Sequence, residues 1–420
     1  MPLNIGRRVF LQQMAQSVGS VPSLNPLSFG PKILDLTTLL PQDQVEGLKN
    51  RTLVIVQLSG GNDGLNTLVP YSQQEYYDAR PNLALSKSDV LQLDSDVALH
   101  PNMTGFQSLY KNNHLAVAQG VGYPNPNRSH AESMAIWQTV APDQSDSTGW
   151  LGRYLDGARS VDSTINAVEL DTLLSPTVVG ARERAMAIQN LQTFKVQPLT
   201  KTQPRSVDES TIKALDSIQC SSCQEYNNLV NTMMEAGLDA LTASDIVQQA
   251  AAGYQTSIEY PTNDFSNRLK LAAQIVTSSL KPTIVYLQIG GFDTHANQKN
   301  TQANLLKTVS DGIAAFYQDM DSKGKADDAL IMTFSEFGRR VKENGSQGTD
   351  HGTAEPMFLV GGRVNGGLYG TYPSLSNLDS NGDLQYTVDF RQVYTTVLQD
   401  WLGADPSQVL NSQFQKLNMF

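Results

Sequence analysis

Short apolar runs alternate with segments of helical periodicity along most of the chain. Five runs are dense in aliphatic and aromatic residues: 53–58, 115–118, 283–289, 329–334 and 357–360. Apolar residues also recur at helical spacing in two segments: Phe265, Leu269, Ala272 and Val276, and later Val393, Val397, Leu398 and Trp401. Runs that are apolar at consecutive positions are typical of strands buried on both faces. The pattern therefore predicts an α/β fold with a doubly wound, mostly parallel sheet.

The segment from about 160 to 263 interrupts this alternation. It is polar and rich in helical and loop-like patterns, and we interpret it as a helical insertion that covers the carboxyl edge of the strands. The predicted organisation is a signal and linker over residues 1–50 and an α/β domain over residues 51–420, which contains the insertion.

Composition narrows the possible functions. The chain has 420 residues, of which 40% are hydrophobic, enough for a large buried core. A net charge of −11 argues against a nucleic-acid-binding protein, because phosphate backbones require basic surfaces. We expect no membrane span, since no apolar stretch approaches the length that a bilayer requires. The chain has only five histidines, which limits imidazole and metal chemistry.

The beginning of the chain indicates export. Residues 6–11 read Gly-Arg-Arg-Val-Phe-Leu, which resembles a twin-arginine signal. Because the apolar segment that follows is weak, a basic pair that opens an amphipathic helix is the alternative. Cys220 and Cys223 are spaced for a local disulfide in an oxidising compartment, with free thiols as the alternative. We expect a periplasmic or extracellular protein.

Acidic residues stand where three of the predicted strands end. They are Asp63, Asp293 and Glu336; His295 follows the second acid, and His351 precedes the fifth strand. Ligands of open α/β sheets bind at the carboxyl ends of the strands. These carboxylates and imidazoles therefore predict a divalent-metal site. The alternative is that each acid only caps the helix that follows its strand.

A polar segment after the second strand supplies a candidate nucleophile. Ser129 precedes a helical run and has the spacing to Glu132 of a capping box, so it could be a helix cap only. Alternatively, its hydroxyl lies at a helix N-terminus, where the positive potential suits a phosphate or sulfate group. A nearby cation would prepare the hydroxyl for attack. In that case Arg128 would hold oxygens of the transferred group, and His130 would lie beside the nucleophile.

Four motifs together resemble the family of domains of unknown function numbered 1501. They are Leu-Ser-Gly-Gly-Asn-Asp-Gly at 58–64, Asn-Arg-Ser-His at 127–130, Gly-Gly-Phe-Asp-Thr-His at 290–295 and Ser-Glu-Phe-Gly-Arg at 335–339. The resemblance extends from Arg51 to about Gly403. That family in turn resembles the alkaline phosphatase superfamily of phosphatases, sulfatases and phosphoglycerate mutases with two divalent metals. It implies the same doubly wound sheet.

The resemblance also implies a role for each strand-end residue. Asp63 matches the aspartate that binds the second metal, and Ser129 matches the serine or threonine nucleophile. Asp293 and His295 match the acid and the histidine of the first metal. His351 stands where the last superfamily histidine does.

Glu336 and Phe337 depart from the superfamily pattern, which has Asp-His-Gly where this chain has Glu-Phe-Gly. Phenylalanine does not bind metal, so the second site would keep Asp63 and Glu336, with Ser129 as a candidate third ligand. His130 or His100 could compensate. Otherwise the protein holds a single ion, or a weakly bound Mg²⁺ or Ca²⁺ on oxygen ligands.

These inferences predict an exported, metal-dependent hydrolase of phosphate or sulfate esters with Ser129 as nucleophile. Its cofactor would be one or two ions of Zn, Mn, Mg or Ca, and its substrate a small-molecule or glycan ester. The residues after Ser129 lack the Pro and Arg that a formylglycine sulfatase requires, which argues against that class of enzyme. One alternative is a binding or scaffold protein with a degraded metal site. Another is a cytoplasmic phosphomutase, if the N-terminus is no signal.

Overall fold

The computed structural model describes residues 50–141, 147–158, 166–171, 173–188 and 253–420. The twin-arginine segment, the cysteine pair and most of the predicted insertion lie outside these residues. Among the described residues, no helix combines the length and the apolar character that crossing a membrane requires.

A nine-stranded sheet organises the described part of the chain. Its strands are β1 Thr52–Leu58, β5 Leu115–Gly122, β6 Ala167–Glu169, β7 Met186–Ala187, β8 Ile284–Ile289, β9 Ala329–Phe334, β10 Glu355–Gly361, β11 Gly367–Tyr369 and β12 Val388–Asp389. The spatial order is β11-β5-β10-β9-β1-β8-β6-β7, with β12 beside β5. A small three-stranded sheet comprises β2 Leu68–Val69, β3 Leu91–Gln92 and β4 Ala98–Leu99.

Helices connect these strands. They are α1 Gly64–Thr67, α2 Gln74–Ala79, α3 Thr104–Lys111, α4 His130–Thr139, α5 Trp150–Gly157, α6 Asp264–Thr277, α7 Gln298–Ser322, α8 Phe390–Thr396 and α9 Pro406–Leu410. Two 3₁₀ turns cover Pro176–Val178 and Ala326–Asp328, and a π-helical turn over Val397–Trp401 continues α8.

The sheet is mostly parallel. β1 lies between β8 and β9 and is parallel to both, so that Val54 is opposite Val285 and Ile331. β10 is the exception, because it runs antiparallel to both β9 and β5. All five apolar runs of the sequence form strands of this sheet, and the predicted α/β class is confirmed.

Apolar side chains cover both faces of the sheet. Every residue of β1 is buried, and its Val54 and Val56 belong to one hydrophobic cluster with residues of α6 and α7. On the opposite face, Phe334 of β9 stacks on Trp137 of α4 with ring centroids 5.7 Å apart. Each fully buried aliphatic side chain contributes about 1.5–3 kcal/mol. The sheet is therefore doubly wound, as the sequence predicts.

The first part of the predicted insertion belongs to the sheet. β6 pairs in parallel with β8, and β7 pairs with β6, so residues 166–188 extend the sheet on one side. Strands of three and two residues are too short to produce an apolar pattern that differs from a loop. For residues 189–252 the helical insertion stays a prediction.

The topology brings five segments to one edge. The carboxyl ends of β1, β5, β8 and β9 point the same way, and the amino end of the antiparallel β10 joins them. Two glycines after β1 permit the closest approach. A Cβ atom at Gly60 would lie 2.4 Å from the Asp293 backbone nitrogen, and one at Gly61 would lie 2.4 Å from the Phe337 ring. Both have positive φ, which side chains disfavour.

Candidate metal centre

Three imidazoles surround one oxygen atom of Asp293 at this edge. The Nε2 atoms of His295, His351 and His130 lie 3.0, 3.2 and 3.4 Å from Asp293 Oδ1. The Nε2 atoms of His295 and His351 are only 2.9 Å apart. Three of the five histidines of the chain thus lie within contact distance of one acid.

Three different connections contribute these side chains. His130 is the first residue of α4, which follows β5. Asp293 and His295 lie in the loop between β8 and α7, and His351 lies before β10. His351 reaches the same edge as the others because β10 runs antiparallel to its neighbours.

Each imidazole also places its Nδ1 atom against an oxygen. His130 faces Glu336 Oε1 at 2.6 Å, His295 faces Asp350 Oδ1 at 3.0 Å, and His351 faces the Arg128 carbonyl at 2.8 Å. An oxygen that can only accept requires an N–H at Nδ1. In the neutral imidazoles the three Nε2 atoms therefore carry lone pairs, and all three lie beside the Asp293 carboxylate.

This donor set fits a divalent cation. Lone pairs and a carboxylate oxygen at such distances repel one another unless a proton or a cation lies between them. The Nε2 atom of His130 is buried and has no hydrogen-bond partner among the described residues. One ligand atom each from His130, Asp293 and His351 lie within 4.8 Å of one another. An oxygen acceptor behind each metal-binding imidazole is also usual in metal sites.

Arg339 keeps Asp293 ionised. Its buried guanidinium donates from Nη2 to Asp293 Oδ1 at 2.7 Å and from Nε to the Gly61 carbonyl at 2.8 Å. Burial opposes ionisation of Asp293, but the hydrogen bond from Arg339 and the positive charge of its guanidinium outweigh it and lower the pKa of Asp293 to about 2. Asp293 therefore remains a carboxylate at neutral pH.

Glu336 lies behind the cluster and not within it. Its carboxylate is buried and accepts hydrogen bonds from the Gly60 backbone at 2.9 Å and from the Ser335 hydroxyl at 3.1 Å, in addition to His130. The sequence predicts a metal ligand here. The structure instead gives Glu336 the place of the acceptor that orients His130.

Asp63 does not join the cluster. Its two oxygens accept from the Arg80 guanidinium at 2.6 and 2.8 Å, and the Gln298 amide donates to one of them. Both side chains of the ion pair are fully buried. A buried guanidinium needs such a partner, so Asp63 forms a structural ion pair apart from the cluster, and its expected role as a ligand of a second metal stays a prediction.

Phe337 forms a wall of the cluster. Its buried ring lies 4.9 Å from the His130 ring and 4.7 Å from the His351 ring, centroid to centroid. His100, the other residue considered as a substitute, is buried elsewhere and accepts from the Asn102 backbone at 3.0 Å. Burial lowers the pKa of His100 to about 4. Within the described ranges, a single group of three potential metal ligands is found.

Ser129 is exposed at the start of α4, and its side chain makes no capping hydrogen bond. The predicted capping box is therefore absent, and the Glu132 carboxylate accepts from the Asn127 amide instead. Both neighbours of Ser129 touch the cluster, Arg128 through its carbonyl and His130 through its ring. Ser129 is therefore adjacent in sequence to two residues that touch the cluster, and its side chain does not cap the helix.

A cleft of about 330 Å³ opens beside the cluster and is lined by Arg128, His295, Arg340, Asp350, His351 and Asn381. The Arg128 guanidinium donates from Nε to Asp383 at 2.9 Å and from Nη2 to Asp379 at 3.1 Å. Sequence reasoning missed Arg339 and Arg340. The only available signal was the arginine that ends the motif at 335–339.

The fold and the cluster define an α/β protein with a group of histidine and aspartate side chains at one sheet edge that could hold a metal ion. Its family is shown by a profile described as "Protein of unknown function (DUF1501)", which matches residues 50–414. The chain belongs to this family, as the motifs of the sequence indicate. A search of curated proteins finds no match.

Solved structures resemble the chain only distantly. The C-terminal periplasmic domain of EcEptC from Escherichia coli, in complex with Zn, is 9% identical with a TM-score of 0.33, over 74% of this chain and 73% of that one. PsFucS1 sulfatase from Pseudoalteromonas sp. is 12% identical with a TM-score of 0.37, over 90% and 75%. The lipoteichoic acid synthase LtaP from Listeria monocytogenes is 9% identical with a TM-score of 0.34, over 87% and 76%. Likenesses of this size carry no functional argument.

Proposed function

We propose that this protein is a metal-dependent hydrolase of phosphate or sulfate esters that acts after export. One observation carries the proposal: three imidazoles, each with Nδ1 held by an oxygen, place Nε2 beside the ionised carboxylate of Asp293. A protein that needed these residues only for folding would gain little from such an arrangement, because it concentrates lone pairs without a proton to share.

His130, His295, His351 and Asp293 would hold the ion. Three nitrogen donors and one carboxylate favour Zn²⁺ or another transition metal over Mg²⁺ and Ca²⁺, which prefer oxygen ligands. A bound ion would supply Lewis acidity, which lowers the pKa of a coordinated hydroxyl and stabilises negative charge on ester oxygens.

Ser129 would be the nucleophile. Its exposed hydroxyl would lose its proton to solvent and form a bond to phosphorus or sulfur, while the ester oxygen departs with its electron pair and takes up a proton from solvent. Water would then attack the same atom, release the acid and return a proton to the serine oxygen. The N-terminal end of α4 adds positive potential beside the transferred group. Arg128 lines the cleft and would hold oxygens of that group.

Turnover of a panel of aryl phosphates and aryl sulfates tests this proposal. Zn²⁺- and Mn²⁺-loaded wild type is compared with Ser129→Ala, and with Ser88→Ala as an exposed serine remote from the cleft. We expect Ser129→Ala to lower kcat at least about 100-fold without loss of metal, as is usual when a nucleophile is removed. Turnover that survives in Ser129→Ala would exclude this serine as the nucleophile.

The packing of Phe337 favours one alternative, a binding protein on the same fold. Its ring lies against the rings of His130 and His351 and offers no atom that could bind an ion. Stoichiometric metal without hydrolysis of any ester in the presence of Zn²⁺, Mn²⁺, Mg²⁺ or Ca²⁺ would support this alternative.

A further inference from the structure

A second guanidinium lies in the same cleft as Arg128. Arg340 follows the buried Arg339, and its side chain is 40% exposed, compared with 30% for Arg128. The backbone N–H of Arg340 donates to the Asp350 carbonyl at 3.0 Å, which fixes this stretch beside the cluster. Neither the motifs nor the family assigns Arg340 a role.

One buried carboxylate holds both arginines. Asp383 accepts from Arg340 Nε through Oδ1 at 3.1 Å and from Arg128 Nε through Oδ2 at 2.9 Å. Its side chain is fully buried, whereas both guanidiniums are partly exposed. The negative charge of Asp383 therefore lies beneath the two guanidiniums, whose N–H donors lie toward solvent.

Each guanidinium keeps donors that the described residues do not use. All hydrogen bonds of Arg128 and Arg340 to described residues come from Nε and Nη2, and the Nη1 group of neither donates to them. A guanidinium held rigidly on one side and open on the other is suited to bind a carboxylate, phosphate or sulfate.

We propose that Arg340 forms a subsite for a second oxyanion of the substrate. Arg128 adjoins the cluster through its carbonyl, so it serves the ester group that reacts. Arg340 lies across Asp383 from it and would bind another anionic group of the same molecule. This inference rests on the proposed function for the position of the ester group, and it narrows the substrate class to esters that carry at least two negatively charged groups.

Equilibrium binding of non-hydrolysable phosphonates tests the subsite without catalysis. Zn²⁺-loaded protein is titrated calorimetrically with phenylphosphonate and with its 3-carboxy and 4-carboxy derivatives. We expect wild type to bind one carboxylated ligand about tenfold more tightly, as a charge-assisted hydrogen bond permits. Arg340→Gln should abolish this preference while the affinity for phenylphosphonate changes less than about twofold.

Two further variants control for folding and for charge. Arg340→Lys keeps the positive charge and should retain part of the preference. Lys342→Gln removes the same charge from an exposed neighbour that does not line the cleft, and it should behave like wild type. If Lys342→Gln abolished the preference for the carboxylated ligand as fully as Arg340→Gln, the preference would come from the overall positive charge of the region. That result would overturn the subsite.

Equal affinity of wild type for all three phosphonates, or no binding of any, would also overturn the subsite. These experiments distinguish a failure of the subsite from a failure of the proposed function. A protein that prefers the carboxylated ligand but hydrolyses no ester contradicts only the hydrolase. A protein that hydrolyses esters without this preference contradicts only the subsite.

Discussion

We infer that Glu336 affects metal binding through His130. Its buried carboxylate receives the Nδ1–H of His130 and thereby directs the Nε2 lone pair toward Asp293. We predict that Glu336→Gln weakens metal affinity about 10- to 100-fold, the usual effect of losing such an oxygen. Competition with a chromogenic chelator measures the affinity. Glu132→Gln, on the helix that begins with His130, is the matched control, and equal affinities in both variants would rule out this role.

Asp63 and Arg80 form a buried ion pair, and we expect Asp63 to stabilise the fold through it. We predict that Asp63→Asn lowers the free energy of unfolding by about 3–5 kcal/mol, because it leaves the Arg80 charge buried without a partner. Urea unfolding measures this loss. Metal affinity measured under folding conditions should not change. A variant that folds as stably as wild type but no longer binds metal would restore Asp63 to the ligand set.

Only part of the site could be predicted from the sequence. Asp293, His295 and His351 stand close to strand ends, and strand ends of one sheet meet at known edges. The partner of Asp63 could not be predicted, because Arg80 follows the short helix α2 and no spacing rule links the two. For the same reason, the sequence does not distinguish a carboxylate that binds metal, as proposed for Asp293, from one that orients a histidine, as Glu336 does.

At the scale of elements, the length of a strand decided whether it could be predicted from the sequence. The strands β1, β8, β9 and β10 have six or seven residues, and their apolar runs are unmistakable. β6 and β7 have three and two residues, and they owe their place in the sheet to pairing with β8 and with each other. Tertiary contacts of this kind leave no periodic signal.

Strand β6 carries a buried acid with a testable pH dependence. Burial raises the pKa of Glu169 to about 8, although the Ser175 backbone donates to it at 2.6 Å. In the unfolded chain its pKa is near 4.5. The folded state therefore binds more protons between these values, and its contribution to stability falls as the pH rises from about 4.5 to 8.

We predict that Glu169→Gln removes this loss. The unfolding free energy of the variant minus that of wild type should be about 1–3 kcal/mol larger at pH 8 than at pH 5. The reason is that the amide keeps the hydrogen-bond acceptor without the charge. Urea unfolding at both pH values measures the difference. The exposed Glu259→Gln is the control, and a gain that is the same at both pH values would contradict the buried charge as the cause.

For the whole molecule, the twin-arginine pair predicts where the protein works. We expect Arg7→Lys together with Arg8→Lys to keep the protein in the cytoplasm, because twin-arginine signals are read by the export machinery as an address. Fractionation of expressing cells measures the distribution. Export that is unaffected by this change would contradict a twin-arginine signal, and wild type that itself stays in the cytoplasm would favour the alternative of a basic helix start and, with it, the cytoplasmic phosphomutase.

The central claim is that three histidines and Asp293 bind one metal ion. Titration of metal-free protein with Zn²⁺, followed by elemental analysis, tests it most directly. We predict one ion per chain in wild type, in Ser129→Ala and in His114→Ala, and loss of stoichiometric binding in His130→Ala, His295→Ala and His351→Ala. Wild type that binds no stoichiometric ion, or histidine variants that bind it as wild type does, would contradict a metal site at this cluster.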